Sequence, residues 1–465
     1  MTEARAAPGP GKLLLPVLVA VLLLPVALGS SHTIFNDGDV SWHIATGGWI
    51  LEHGAIPRTD PFSFTWAGKP WVPIEWLAEV IYASAYRLAA YAGVAALVSA
   101  ALIALNGVVF FNANRWVRPL LVIVAMDVVL IPMLLARPHV LAWPLLAFWI
   151  WLLLRAREQD RSPPLPAALL MTVWANLHGS FVFGLGLAAL FGLEALLSSA
   201  DKGRAFRQWL IFGVACAVAV CINANGVEGA LHPLRFTQLE MLPMIDEWKP
   251  SNPKVTPFFF GALAVALIAI VWKRPRLHPV RWAILALFLA GAMYQARHQA
   301  MFAIVAAMIL PEGLAKGMPR RLDGNHRAAA LVAVAGALLL VAVRAIMPLT
   351  PPDNETNPWG LIASVPQELR GQPVMNDYSF GGPLILQGIR SYVDGRGDMY
   401  GDRFILNYAK IVGGDPRAFS DAVRQWNIRW AIAPHRDKKM IAMLDRIPGW
   451  RRIRQDRVGV VFAAH

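Results

Sequence analysis

Asp37-Gly38-Asp39-Val40-Ser41-Trp42-His43 places two carboxylates and a histidine just past the first apolar run of the chain. Charge so close to a bilayer is costly, so acids in that position mark a functional site by default. A carboxylate within reach of a hydroxyl can take its proton. Asp37 and Asp39 could also hold a divalent cation, Mg or Mn, against a phosphate. Two arginines in similar settings, Arg137 in Arg137-Pro138-His139 and Arg297 in Arg297-His298, carry the planar donor fork that suits phosphate oxygens. His139, His178 and His298 stand beside them, in or next to tight polar turns. No His, Cys, Asp or Glu spacing reads as a zinc site.

Apolar segments carry these residues. Of 465 residues, 56% are hydrophobic and only 16% charged, below the roughly 25% of a soluble domain. With 18 tryptophans, which favour membrane interfaces, the composition is that of a polytopic α-helical membrane protein. The formal charge of +13 comes from basic residues scattered in short loops. That is a topology signal, and it excludes nucleic acid as the partner. Cys216 and Cys221 share one apolar run and read as helix-buried thiols.

A span needs about 20 apolar residues. We read eleven, near 13–30, 90–112, 119–136, 139–154, 165–178, 181–199, 208–223, 257–272, 280–296, 300–315 and 328–348. Ala27-Leu28-Gly29 resembles a signal cleavage site, but the apolar run is long for a signal peptide and its basic flank is thin. The basic loops with Arg115 and Arg118, with Arg155, Arg157 and Arg161, with Lys202, Arg204 and Arg207, with Lys273, Arg274, Arg276 and Arg281, and with Lys316, Arg320, Arg321 and Arg327 then share one side. That side is expected to be cytoplasmic, with the N-terminus inside and the C-terminus outside. The opposite face receives the loop 31–88, the turns at Arg137 and His178, the loop 224–256 with Asp246-Glu247, and Arg297-His298. Residues 40–53 and 74–87 read as amphipathic helices lying on that surface, anchored by Trp42, Trp49, Trp71 and Trp76.

After the proline-rich linker Pro348–Asn354 the composition turns soluble. Val374–Tyr378, Ser391–Gly395, Trp430–Ala433 and Val458–Ala463 read as strands. Phe404–Val412, Pro416–Trp426 and Lys438–Arg446 read as helices. The expectation is a transmembrane unit, 1–349, followed by a soluble α/β domain, 350–465, on the outer face. Asp394 and Arg396 follow a strand end, where ligands often bind in α/β folds, although Asp and Gly are also what tight loops require.

A membrane helix, a large outer loop opening on an acidic motif, surface-lying helices, then paired helices with tight outer turns resembles the GT-C superfamily of polyprenyl-phosphate-dependent membrane glycosyltransferases. Asp37 through Trp76 is similar to bacterial members. The resemblance implies a polyprenyl-phosphate sugar donor, a lipid or glycan acceptor, and transfer at the periplasmic face of the bacterial inner membrane. Asp39 would be the leading base, Asp37 its understudy or a metal ligand, and catalytic His43, with His139 and His178, would orient the donor or protonate the leaving phosphate. Arg137, Arg297, His139, His178 and His298 would hold the donor phosphate. Asp246, Glu247, Asp394 and Arg396 would serve the acceptor. The alternatives are a transporter or flippase for lipid-linked glycans and a non-catalytic envelope assembly protein. Internal repeats and midplane polar residues favour a transporter, and this chain has neither.

Overall fold

The computed structural model describes residues 23–29, 32–315 and 326–465. Most of the first expected span lies outside them, as do Lys316, Arg320 and Arg321. The principal helices are α1 (Asp39–His53), α2 (Trp76–Ala113), α3 (Pro119–Leu130), α4 (Pro138–Glu158), α5 (Leu169–Leu177), α6 (Phe181–Ser198), α7 (Lys202–Val220), α8 (Gly226–Phe236), α9 (Pro257–Lys273), α10 (Pro279–Tyr294), α11 (Gln299–Leu314) and α12 (His326–Ile346). Four of them open on proline, where the missing N–H costs nothing.

Four helices are long and apolar enough to cross a membrane: Trp76–Ala113, Pro138–Glu158, Phe181–Ser198 and Lys202–Val220. Five shorter apolar helices stand with them among the described residues. Every expected span after the first coincides with a helix. Eleven crossings are more than the long helices supply, because several apolar runs are cut short by Pro, Gly or polar turns.

Helix α2 joins two expected elements. Its φ/ψ leave the helical range at Ala89 and Ala90, which separates the expected surface helix from the expected span. The bend brings Gly93 against Ala85, where a Cβ would lie 2.0 Å from the Ala85 carbonyl oxygen. Helix α1 stops at Gly54, whose φ of 61° is the left-handed conformation of a helix C-terminus. The loop 224–256 contains helix α8.

At the helix ends away from Arg137, Arg157 and Arg281 do more than report topology. Arg281 grips the Glu194 carboxylate through Nε at 3.0 Å and Nη2 at 2.9 Å, and bonds Glu312 as well. Arg157 approaches Glu194 to 3.5 Å. These are buried charges held by partners from other helices.

Past residue 373 the chain forms a four-stranded sheet, β1 (Val374–Asn376), β2 (Trp430–Pro434), β3 (Trp450–Gln455) and β4 (Gly459–Ala464), in the order β1-β2-β4-β3. β1 runs parallel to β2, and the other pairs are antiparallel. Helices α13 (Gly381–Leu386), α14 (Gly397–Val412), α15 (Pro416–Trp426) and α16 (Lys438–Leu444) accompany it. Two expectations fail. Ser391–Gly395 is no strand, and makes only an isolated bridge from Ser391 to Ser63. Its polar side chains are drawn into a buried ionic network instead of a ladder. The basic run Arg451–Arg454, left outside the expected strands, is the exposed edge strand β3. Charges along an edge guard it against pairing with other chains, and they also hide its alternation.

The sheet-bearing segment is clamped onto the first outer loop. Thr65 Oγ1 donates to the Tyr392 carbonyl at 2.6 Å, Phe64 N to the Ser391 carbonyl at 3.2 Å, and Asn357 Nδ2 to the Phe35 carbonyl at 2.7 Å. Helix α13 packs on α1. The approach is close enough to demand glycine. A Cβ on Gly382 would fall 2.0 Å from the Gly38 carbonyl oxygen, and one on Gly395 would fall 1.8 Å from Asp39 Oδ1.

Candidate active site

Arg137 stands at the centre of the outer cluster. It precedes Pro138 in extended conformation, as the residue before a proline must, and this points it out of the α4 terminus. Its Nε bonds Asp37 Oδ2, and Nη2 reaches Asp37 Oδ1 at 2.7 Å and Asp39 Oδ2 at 2.9 Å. Nη1 lies 3.4 Å from Glu247. Burial opposes the charge on Arg137, but Asp37, Asp39 and Glu247 outweigh it and hold the guanidinium above its usual range. Glu247 also faces Arg297 at 3.6 Å, and Arg297 lies 4.2 Å over the Trp248 ring. Burial would raise Glu247, yet Arg137 and Arg297 keep it below the ordinary carboxylate range.

The first loop supplies a second layer. His43, 3% exposed, stacks on Trp42 with centroids 3.6 Å apart. Burial and the nearby Arg137 hold its imidazole neutral, well below 6.5. Its Nδ1 is 3.4 Å from Glu79 Oε1 and its Nε2 is 4.0 Å from Glu75 Oε2. His178 reaches Glu75 Oε1 at 3.5 Å with Nε2, and its Nδ1 is bonded to Ser180 Oγ at 2.8 Å. It too is kept neutral by burial and by His139. Glu75 is pushed up to about 8, chiefly by burial and against the pull of Arg297. Asp39 rises to about 7 by burial, although Arg137 pulls it down. About a fifth of each side chain still meets solvent, 22% for Glu75 and 17% for Asp39, so both can meet a ligand.

No protein-family model matches the sequence, and no curated protein matches it. The three-dimensional arrangement does match solved structures. It is similar to the apo form of the Archaeoglobus fulgidus oligosaccharyltransferase, with a TM-score of 0.55 at 10% identity over 92% of this chain and 71% of that one. It is also similar to that archaeal enzyme in complex with an inhibitory peptide and a dolichol-phosphate, with a TM-score of 0.57 at 11% identity over 93% and 71%. The chain shares the fold of these two structures.

Within this fold, the structure gathers Asp37, Asp39, His43, Arg137, His139, His178, Glu247 and Arg297 from five separate segments. His139 bonds the Met133 carbonyl at 3.0 Å and lies edge-on to His178, 6.2 Å between centroids. His298 turns away, against Phe183. Asp246 is exposed and, among the described residues, pairs only with Lys249, at 2.6 Å. Asp394 and Arg396 are fully enclosed. Arg396 donates to Asp394 at 2.8 and 2.7 Å and to Asp60 at 2.7 Å, and Tyr400 closes the network at 2.7 Å. With Arg396 2% and Asp394 0% exposed, this pair offers no face to an acceptor.

The donor set does not suit a bound cation as it stands. Arg137 takes both Asp37 oxygens and Asp39 Oδ2, and the described residues hold no group of three or more His, Cys, Asp or Glu placed to share a metal.

Glu75 and Glu79 were missed as site residues. Their signal was present: acids at i and i+4 beside a tryptophan at the head of an apolar helix. What hid it was the expectation that 74–87 is an ordinary amphipathic surface. A cavity of about 600 Å³ lined by Phe111, Arg115, Trp151 and Arg155 lies at the far end of α4 from Arg137, and it contains none of these groups.

Proposed function

We propose that the protein is a membrane glycosyltransferase that moves a sugar from a polyprenyl-phosphate-linked donor to a lipid or glycan acceptor on the periplasmic face. The observation that carries this is the Arg137–Glu247–Arg297 bridge beside Asp37, Asp39 and Glu75. Two guanidiniums joined through one carboxylate form a receptor that exchanges Glu247 for phosphate oxygens. The GT-C fold, and the dolichol-phosphate held by the archaeal neighbour, support a lipid-linked donor here.

In this reading all eleven apolar segments cross the membrane, the shorter ones tilted or broken. The N-terminus is cytoplasmic, and residues 350–465 form a periplasmic domain that roofs the site. Asp37 and Asp39 hold Arg137 in register, and neutral His43, His139 and His178 orient the donor by hydrogen bonds.

Asp37→Asn and Asp39→Asn variants, assayed by mass spectrometry of cell-envelope glycolipid and polysaccharide, test the reading. Loss of product in both is expected, and wild-type product in both overturns it. Lipid-linked substrate accumulating in the inner leaflet would point to a transporter instead.

A further inference from the structure

We propose, on the transferase reading above, that Glu75 is the general base that takes the proton of the attacking acceptor hydroxyl, with His43 and Glu79 positioning it from behind. The other carboxylates of the cluster are committed. Both oxygens of Asp37 bind Arg137. Asp39 gives Oδ2 to Arg137, and its Oδ1 is pressed against Gly395. Glu247 lies between two arginines, and Asp398 is paired with His232 Nε2 at 3.2 Å. Glu79 is 1% exposed and cannot meet a substrate. Glu75 is different: among the described residues its close side-chain partners are two neutral histidines, and it keeps 22% of its side chain open.

Its position is held by rigid parts. Glu75 caps the N-terminus of α2, its carbonyl accepts the Glu79 amide at 3.0 Å, and its neighbour Trp76 is pinned through Nε1 to Asn176 Oδ1 at 2.6 Å. Behind it, Glu79, His43, Glu75, His178 and Ser180 form a line with separations of 3.4, 4.0, 3.5 and 2.8 Å. Two atoms of this line, His43 Nδ1 and Glu79 Oε2, are buried without a hydrogen-bond partner among the described residues. A buried polar atom left unpaired is costly, and a line of this kind is able to reorganise as a proton arrives.

In the step, the acceptor oxygen bonds to the anomeric carbon while the bond from that carbon to the phosphate oxygen breaks. The electron pair leaves on the lipid phosphate, held by Arg297 and Arg137. The acceptor proton passes to a Glu75 oxygen and from there to the departing phosphate or to water. The groups facing Glu75 are Asp39 and His43 from α1, Glu79 from α2, Arg137 before α4, His178 after α5, Arg297 before α11 and Asp398 at the head of α14. Burial keeps the Glu75 proton on to about pH 8, so a base in this place makes the rate climb toward that pH.

The test uses the full-length protein in nanodiscs with synthetic short-chain polyprenyl-phosphate mannose, glucose and N-acetylglucosamine, following sugar released to water. Glu75→Gln is expected to lose at least ~100-fold in kcat with donor KM within about threefold, and its residual rate should no longer climb toward pH 8. Glu75→Asp should restore part of kcat. Wild-type kcat and pH profile in Glu75→Gln would overturn the proposal, as would loss of the pH limb in Asp39→Asn alone. A wild-type protein that turns over none of the three donors would count against the transferase reading itself, and is thereby told apart from failure of Glu75.

Discussion

Arg396 and Arg137 are both buried arginines with aspartate partners, and they have been put to opposite uses. Arg396 is saturated. It is forked on Asp394, bonded to Asp60 and packed 4.7 Å over Trp71, with 2% exposure. Arg137 has a comparable set of acids but keeps 23% of its side chain in solvent, and its neighbours Glu75, Glu247 and Arg297 keep 22 to 30%. A closed network spends its charges on holding two segments of chain together. An open one leaves donors that a ligand can take over.

The largest effect that could break this contrast is Arg396→Ala. It strands Asp394 and Asp60 without their counter-charge and is expected to cost about 3–5 kcal/mol in thermal unfolding in detergent. An unchanged midpoint would mean that the network is not structural. Arg137→Gln should do the reverse. Turnover falls about 10- to 100-fold, as expected for a lost charged hydrogen bond, while the unfolding midpoint falls less than in Arg396→Ala because water can reach Asp39 and Glu247 and only Asp37 is left buried without its counter-charge.

Stability against pH sharpens the difference further. Folded Glu75 keeps its proton to about 8, against an ordinary 4.5, and Asp39 to about 7 against 3.8. Between each pair of values the folded chain holds a proton that the unfolded chain has released. Stability therefore falls as pH rises through that window and levels off above it. Glu75→Gln should remove part of this slope, so its midpoint gains on wild type from pH 5 to pH 8. A constant difference would show that Glu75 is not buried in this way.

Two smaller effects complete the set. Gly395→Ala should lower activity and the unfolding midpoint together, by less than Arg396→Ala, because its Cβ would meet Asp39 Oδ1 at 1.8 Å and the Trp42 indole nitrogen at 2.6 Å. Asp246→Ala should change neither measurement, since Asp246 is 94% exposed and, among the described residues, its carboxylate pairs with Lys249 alone.

Much of this was legible along the chain. The surface helix and following span in α2 were separable because Arg87 and Leu88 end one apolar pattern and a longer one begins at Ala90. Arg137 stood out because it sits between two apolar runs and before a proline. Less visible was Arg281, which reads as a loop charge but is clasped by Glu194 from another helix. Ser391–Gly395 looked like a strand because Tyr and Val favour one, and the pairing that decides the matter comes from residues more than 300 positions away.

The sequence by itself determined the membrane class, the positions of the apolar helices and the residue types at their outer ends. These follow from hydropathy and from charge cost, which act over neighbouring residues. Only the tertiary structure decided which acids are bound to arginine and which stay open. Asp39 and Glu75 differ little in local sequence. One is pinned by Arg137 and roofed by Gly395, the other is left between two histidines, and those partners come from segments that meet only when the chain has folded.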